Sequence, residues 1–138
     1  MREAEALLKC AKAPCRSCPY RQDVPSGVWA AHEYDKLPGY DGEIIDQLGA
    51  GALGLFHCHQ QDGRLCAGWV GTHDARNLLA CRLASARLDP MVWDYESPVR
   101  LFASGTEAAA HGRRAIRRPD KAAQRVIGRL HRKRGRLP

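Results

Sequence analysis

The chain carries four cysteines in two close pairs, and this spacing limits its folding more than any other feature. Two residues separate Cys15 from Cys18, seven separate Cys58 from Cys66, and 39 lie between the pairs. A C-x2-C turn aims two sulfurs at one point. Zn²⁺ then needs two further soft ligands to complete a tetrahedron. The spacing therefore predicts that Cys15, Cys18, Cys58 and Cys66 form one structural metal site, with zinc as the expected ion. His57 and His59 flank Cys58 and are candidate alternate ligands, or hydrogen-bond partners for a thiolate. In an extended segment they point to opposite faces.

Other chemistries compete for these residues. A disulfide framework belongs to secreted chains. A thioredoxin-like C-x2-C needs a strand before it and a helix after it, whereas Pro14 precedes this one after a helical pattern. An iron–sulfur cluster is the main alternative. Cys10, Cys15 and Cys18 read C-x4-C-x2-C, the plant-type ferredoxin spacing, which makes Cys10 a further candidate ligand. Cys81 has no partner at metal-ligand spacing and reads as a small buried side chain. A catalytic zinc needs an open position and a nearby base. The chain has no H-E-x-x-H or H-x-E pattern, so the reading is of a binding protein rather than an enzyme.

At 138 residues and 44% hydrophobic content, the chain is long and apolar enough to bury a modest core. No apolar run reaches the length of a membrane span. The first residues, Met1-Arg2-Glu3-Ala4-Glu5, lack a signal-peptide pattern. The expected location is therefore cytoplasmic, where thiols stay reduced.

The net charge of +7 is uneven. Eleven of the 22 Lys and Arg lie in residues 109–138, against a single acid, Asp120. This predicts a metal-stapled globular domain over 1–104 and a basic helical tail over 105–138. The overall class is mainly α with a short β element.

Along the chain, residues 2–12 have helical spacing and end before Pro14. A helix is expected over 28–37, with Trp29 and Tyr34 as core, and a shorter one over 41–48. Residues 55–58 suggest a short strand that delivers Cys58. Thr72 is the expected cap of a helix over 73–88. Thr106 is the expected cap of a helix reaching Arg118, where Pro119 breaks it, and Asp120 of a last helix over 121–133. That last helix pairs an apolar face (Ala122, Ala123, Val126, Ile127, Leu130) with a basic line.

The tail's basic residues are Arg113, Arg114, Arg117, Arg118, Lys121, Arg125, Arg129, Arg132, Lys133, Arg134 and Arg136. Arginine's planar fork suits phosphate. The expected partner is nucleic acid, or a protein bound to nucleic acid. A membrane surface is not expected, because the apolar face lacks Trp and Phe. A solvated face or a protein-docking helix are the competing readings.

Cys15-Arg16-Ser17-Cys18-Pro19-Tyr20-Arg21, Phe56-His57-Cys58-His59-Gln60 and Cys66-Ala67-Gly68 together resemble a family of small proteins of unknown function from high-GC bacteria and their phages. Its pattern is C-x2-C-P, a later C-H, then C-x-G. The resemblance covers about residues 13–70 and implies that Cys15, Cys18, Cys58 and Cys66 act together. A fainter likeness joins Cys15 to Pro19, Gly27-Val28-Trp29 and the basic tail to the WhiB-like iron–sulfur regulators. Those place a further cysteine shortly after the C-x2-C, where this chain has Gln22, Asp23 and Val24.

Overall fold

The computed structural model describes residues 6–58, 60, 61 and 63–135, the last three without their side chains. It is mainly helical, with one two-stranded parallel sheet. Strand β1 (Lys9–Cys10) pairs with β2 (Arg64–Leu65), Lys9 opposite Arg64 and Cys10 opposite Leu65. The helices are α1 (Ala31–Asp35), α2 (Ile44–Gly49), α3 (Ala67–His73), α4 (Leu79–Leu83), α5 (Gly105–Arg113) and α6 (Lys121–Gly135). Short 3₁₀ turns join several of them.

The helix expected over 2–12 is not formed in its described part. Long-range backbone bonds hold these residues extended. Leu8 donates to the Arg87 carbonyl at 2.8 Å and accepts from the Asp89 amide at 2.8 Å, while Ala11 donates to Leu65 at 3.0 Å. Local helical preference is worth only tenths of a kcal/mol per residue, so paired backbone and the full burial of Cys10 and Ala11 override it. Residues 1–5 lie outside the described residues.

The helix expected over 73–88 is displaced and broken. It starts earlier, at Ala67, so Thr72 lies inside it and donates its hydroxyl to the Phe102 carbonyl at 3.1 Å. It stops at Asp74, which has φ 64° and accepts from the Arg76 amide to begin the next turn. Helix α1 is likewise shorter than the 28–37 expected, because Gly27 at φ 81° and an extended Ala30 precede it. The short helix expected over 41–48 forms as α2, and Asp120 caps α6 by accepting from the Ala123 amide at 2.8 Å. Ser104, not Thr106, caps α5. The Thr106 hydroxyl and amide, with the Gly105 amide, instead donate to Asp41 at 2.6–2.8 Å.

Trp69, Tyr20, Tyr34, Leu37, Leu65 and Leu78 lie fully inside one core, and Trp29 is also buried. Helix α5 lies very close to the first half of the chain. A Cβ on Gly112 would fall 2.0 Å from the Tyr34 ring, and one on Gly105 2.1 Å from the Leu37 carbonyl oxygen. Ala108 and Ala109 of α5, and Ala123, Val126 and Leu130 of α6, belong to the same core as Tyr20 and Trp69. The packing thus crosses the expected domain boundary at 104/105.

Gln47 is fully buried and fully used. Its amide donates to the carbonyls of Gly42 and Asn77, at 3.2 and 2.6 Å, and accepts from the Leu79 amide at 2.9 Å. It joins α2 to the start of α4. Gln47→Leu keeps the bulk but leaves these partly buried backbone groups without their partner. Chemical denaturation should show a loss of about 2–4 kcal/mol, from three hydrogen bonds at about 0.5–1.5 kcal/mol each.

Candidate metal centre

The first cysteine pair sits on a tight turn, with the Cys18 amide donating to the Cys15 carbonyl at 3.0 Å. Ser17, buried inside that turn, anchors it. Its carbonyl accepts from the Trp29 indole and its hydroxyl from the Gln60 amide, both at 2.7 Å. Arg21 closes the exit by gripping Asp23 with two 2.7 Å bonds and donating to the Pro14 carbonyl at 3.0 Å. That pairing holds the Asp23 carboxyl below its usual range.

The second pair sits on a hairpin. His57 bridges Leu65 in antiparallel fashion, the Cys58 amide donates to Arg64 at 2.9 Å and the Cys66 amide to Phe56 at 2.8 Å. The strand expected over 55–58 is therefore a single bridge, and the regular strand lies on the return arm as β2. Cys66 stands at the N-cap of α3.

The fold brings the two pairs together. The Cys18 and Cys66 sulfurs are 3.7 Å apart, too far for a disulfide. The Cys15 thiol is hydrogen-bonded to that of Cys58, and this bond, followed by burial, pushes Cys15 upward. The bond to Cys66, then burial, does the same for Cys18, which also feels the charge of Cys15. Cys15 and Cys18 are therefore protonated at neutral pH in this arrangement.

Thiolates are a donor type that Zn²⁺ takes. Four sulfurs about 2.3 Å from one zinc stand about 3.8 Å apart along each edge of the tetrahedron. The Cys18–Cys66 separation matches such an edge. The thiols stand as two pairs, however. Among the described residues, no three His, Cys, Asp or Glu side chains form a cage already closed on one point.

Gly68 is what lets the pairs meet. A Cβ there would lie 2.3 Å from the Cys18 sulfur and 2.9 Å from Cβ of Tyr20. The glycine of Cys66-Ala67-Gly68 thus has a steric reason that spacing alone did not supply.

His57 is exposed between buried Phe56 and Cys58, as strand alternation dictates. His59 lies outside the described residues. Cys10 is buried beside Leu65, its thiol raised to about 11 by burial, and Cys81 behind it is raised to about 12 for the same reason.

His73 carried no signal in the sequence. In the structure it ends α3, buried against the Tyr20 ring at 5.6 Å between centroids. Its Nδ1 lies 3.6 Å from Asp41, which would suit an ion pair, yet burial lowers the imidazole to about 4 and outweighs that carboxylate. His73 is neutral at pH 7. Its Nε2, the Tyr20 hydroxyl and the Trp69 indole are buried without hydrogen-bond partners among the described residues.

Of the basic residues, Arg113, Arg114, Arg117 and Arg118 are exposed around the α5–α6 turn, and Lys121, Arg125, Arg129 and Arg132 are exposed on α6. The side chains of Lys133 and Arg134, and all of Arg136, lie outside the described residues. Arg129 and Leu130 share a cleft with Arg16, Ser17 and Gln60, so α6 runs beside the cysteine turn. No helix among the described residues is long and apolar enough to cross a membrane.

A profile described as a family of unknown function (DUF6283) matches residues 10–134, and the chain belongs to that family. The match spans the cysteine pairs and almost all of the basic segment. Neither the curated proteins nor the solved structures gave a match.

Gly68→Ala should cost about 1–3 kcal/mol in thermal or chemical denaturation, the usual range for overpacking. Gly54→Ala is the control, because a Cβ there meets nothing within 4 Å. Equal, small effects at both positions would remove the steric role of Gly68.

Proposed function

We propose that this chain is a metal-stapled, non-enzymatic binding module. In this reading, Cys15, Cys18, Cys58 and Cys66 hold one zinc ion, and the basic surface of α6 and the preceding turn engages nucleic acid. The observation that carries it is the meeting of two cysteine pairs from distant parts of the chain, with one pair at the spacing of a tetrahedral edge. The ion would link the turn at 15–18 to the hairpin at 58–66. The same short spacing favours a single ion over an iron–sulfur cluster, in which sulfide and several irons separate the thiolates. Arg21, close enough for the Cys15 and Cys18 charges to act on it, would offset part of the thiolate charge.

Metal analysis of freshly purified anaerobic protein tests the first half. Colourless protein with one zinc per chain is expected, and brown protein would point to a cluster. Replacing any of the four cysteines with Ser should abolish the metal and much of the fold, since structural zinc contributes about 10–16 kcal/mol in finger peptides. Cys10→Ser and Cys81→Ser should retain it. Because Cys15 and Cys18 start protonated, zinc uptake should release protons and weaken as pH falls.

The nucleic-acid half rests on exposed arginines with few counter-charges. Arg113 is drawn to a carboxylate, that of Asp35. If about four to six side chains reach phosphates, binding to B-DNA should fall with salt at a log–log slope of about −4 to −5. Replacing Arg125, Arg129 and Arg132 with Glu should weaken binding and flatten that slope, with metal content unchanged. Absence of binding to DNA and RNA at low salt would leave a protein-docking helix as the account of this face.

A further inference from the structure

We propose that the turn between α5 and α6 is a site for single-stranded nucleic acid, distinct from the basic face of α6. This rests on the nucleic-acid reading above and sharpens it. The turn borders an open groove of about 570 Å³, within the size range of small-ligand clefts, roughly 300–1,000 Å³. Half-buried Ala115 and Ile116 form its floor beside exposed Ala31, and the exposed Arg113, Arg114, Arg117 and Arg118 form its rim. All four arginines are exposed. Asp35 engages Arg113, which leaves three guanidinium groups around an apolar surface without an ion pair among the described residues.

The groove is built rather than loose. The Gly27 amide donates to the Gly112 carbonyl at 2.8 Å. Gly27 itself has φ 81°, and a Cβ on it would fall 2.5 Å from the Ala115 carbonyl oxygen. Successive turn bonds of 3.2–3.4 Å (Arg114 to His111, Ile116 to Arg113, Arg118 to Ala115) wind the turn so that the arginines project while Ile116 stays half-buried. The arginines are thus displayed on backbone that is already ordered.

The combination selects the occupant. Phosphate alone needs cations and no apolar floor. A duplex keeps its bases stacked and paired, so it offers a floor of this kind nothing flat. An unpaired nucleotide offers both a phosphate for the rim and a base face for Ile116 and the guanidinium planes. Helix α6 differs. Its arginines stand on a convex helical face with its apolar residues turned into the core, which suits phosphates of any strand.

The test uses full-length, metal-loaded protein and two fluorescein-labelled probes: an oligo-dT of about 10 nucleotides, within the usual single-strand site size, and a duplex of equal length. Anisotropy gives both affinities. The variant Arg114→Lys/Arg117→Lys/Arg118→Lys keeps the charge and removes the planar groups. It should lose about tenfold in oligo-dT affinity and less than twofold in duplex affinity. The α6 variant Arg125→Glu/Arg129→Glu/Arg132→Glu should weaken the duplex more than oligo-dT. Equal losses for both probes in the lysine variant, or none, would overturn the groove and leave the nucleic-acid reading standing on α6. Wild-type protein that binds neither probe would overturn both.

Discussion

The close approach of the Cys15–Cys18 turn to the start of α3 is the contact around which the fold is arranged. It brings together two segments about 50 residues apart in sequence, and it has room for the Cys18 sulfur only because residue 68 has no side chain. On one side, the Trp29 indole and Gln60 amide fix the turn through Ser17. On the other, the hairpin bonds of Cys58 and Cys66 fix the opposing sulfurs. Sulfur, glycine and aromatic rings then share one core. The buried sulfurs sit beside Tyr20, whose hydroxyl has no hydrogen-bond partner there and whose ionisation burial strongly opposes.

A second close approach ties in the C-terminal half. Gly105 and Gly112 let α5 press against Leu37 and Tyr34, and Asp41 receives the free amides at its start. The same glycine-rich α5 then delivers the arginine turn over Gly27. Packing, rather than charge, thus decides where the basic residues are shown. Helix α6 uses its small and branched residues against the core and keeps Arg125, Arg129 and Arg132 in solvent. An amphipathic pattern in which the polar stripe is almost wholly cationic retains its basic face once the apolar face is buried.

His73 and Cys10 mark the limits of reading by residue type. The histidine beside a carboxylate is neutral because burial outweighs Asp41. Cys10, at ferredoxin spacing from Cys15, lies in a strand opposite Leu65, where burial raises its thiol to about 11. In both cases the environment, not the spacing, sets the chemistry.

Sequence by itself determined the mainly helical class, the Asp120 cap of α6, and the apolar and basic faces of that helix. These are local signals, carried by spacing, side-chain periodicity and residues with strong backbone preferences. Tertiary structure decided the rest. Residues 8–11 are extended because distant carbonyls and amides at 65, 87 and 89 satisfy their backbone. Helix α3 begins at Ala67 and brings Gly68 under Cys18, a contact between segments far apart in the chain. The Cys15–Cys58 and Cys18–Cys66 pairing follows from how the turn meets the hairpin. Each of these depends on long-range contacts whose energy exceeds local preference, and no window of neighbouring residues contains both partners.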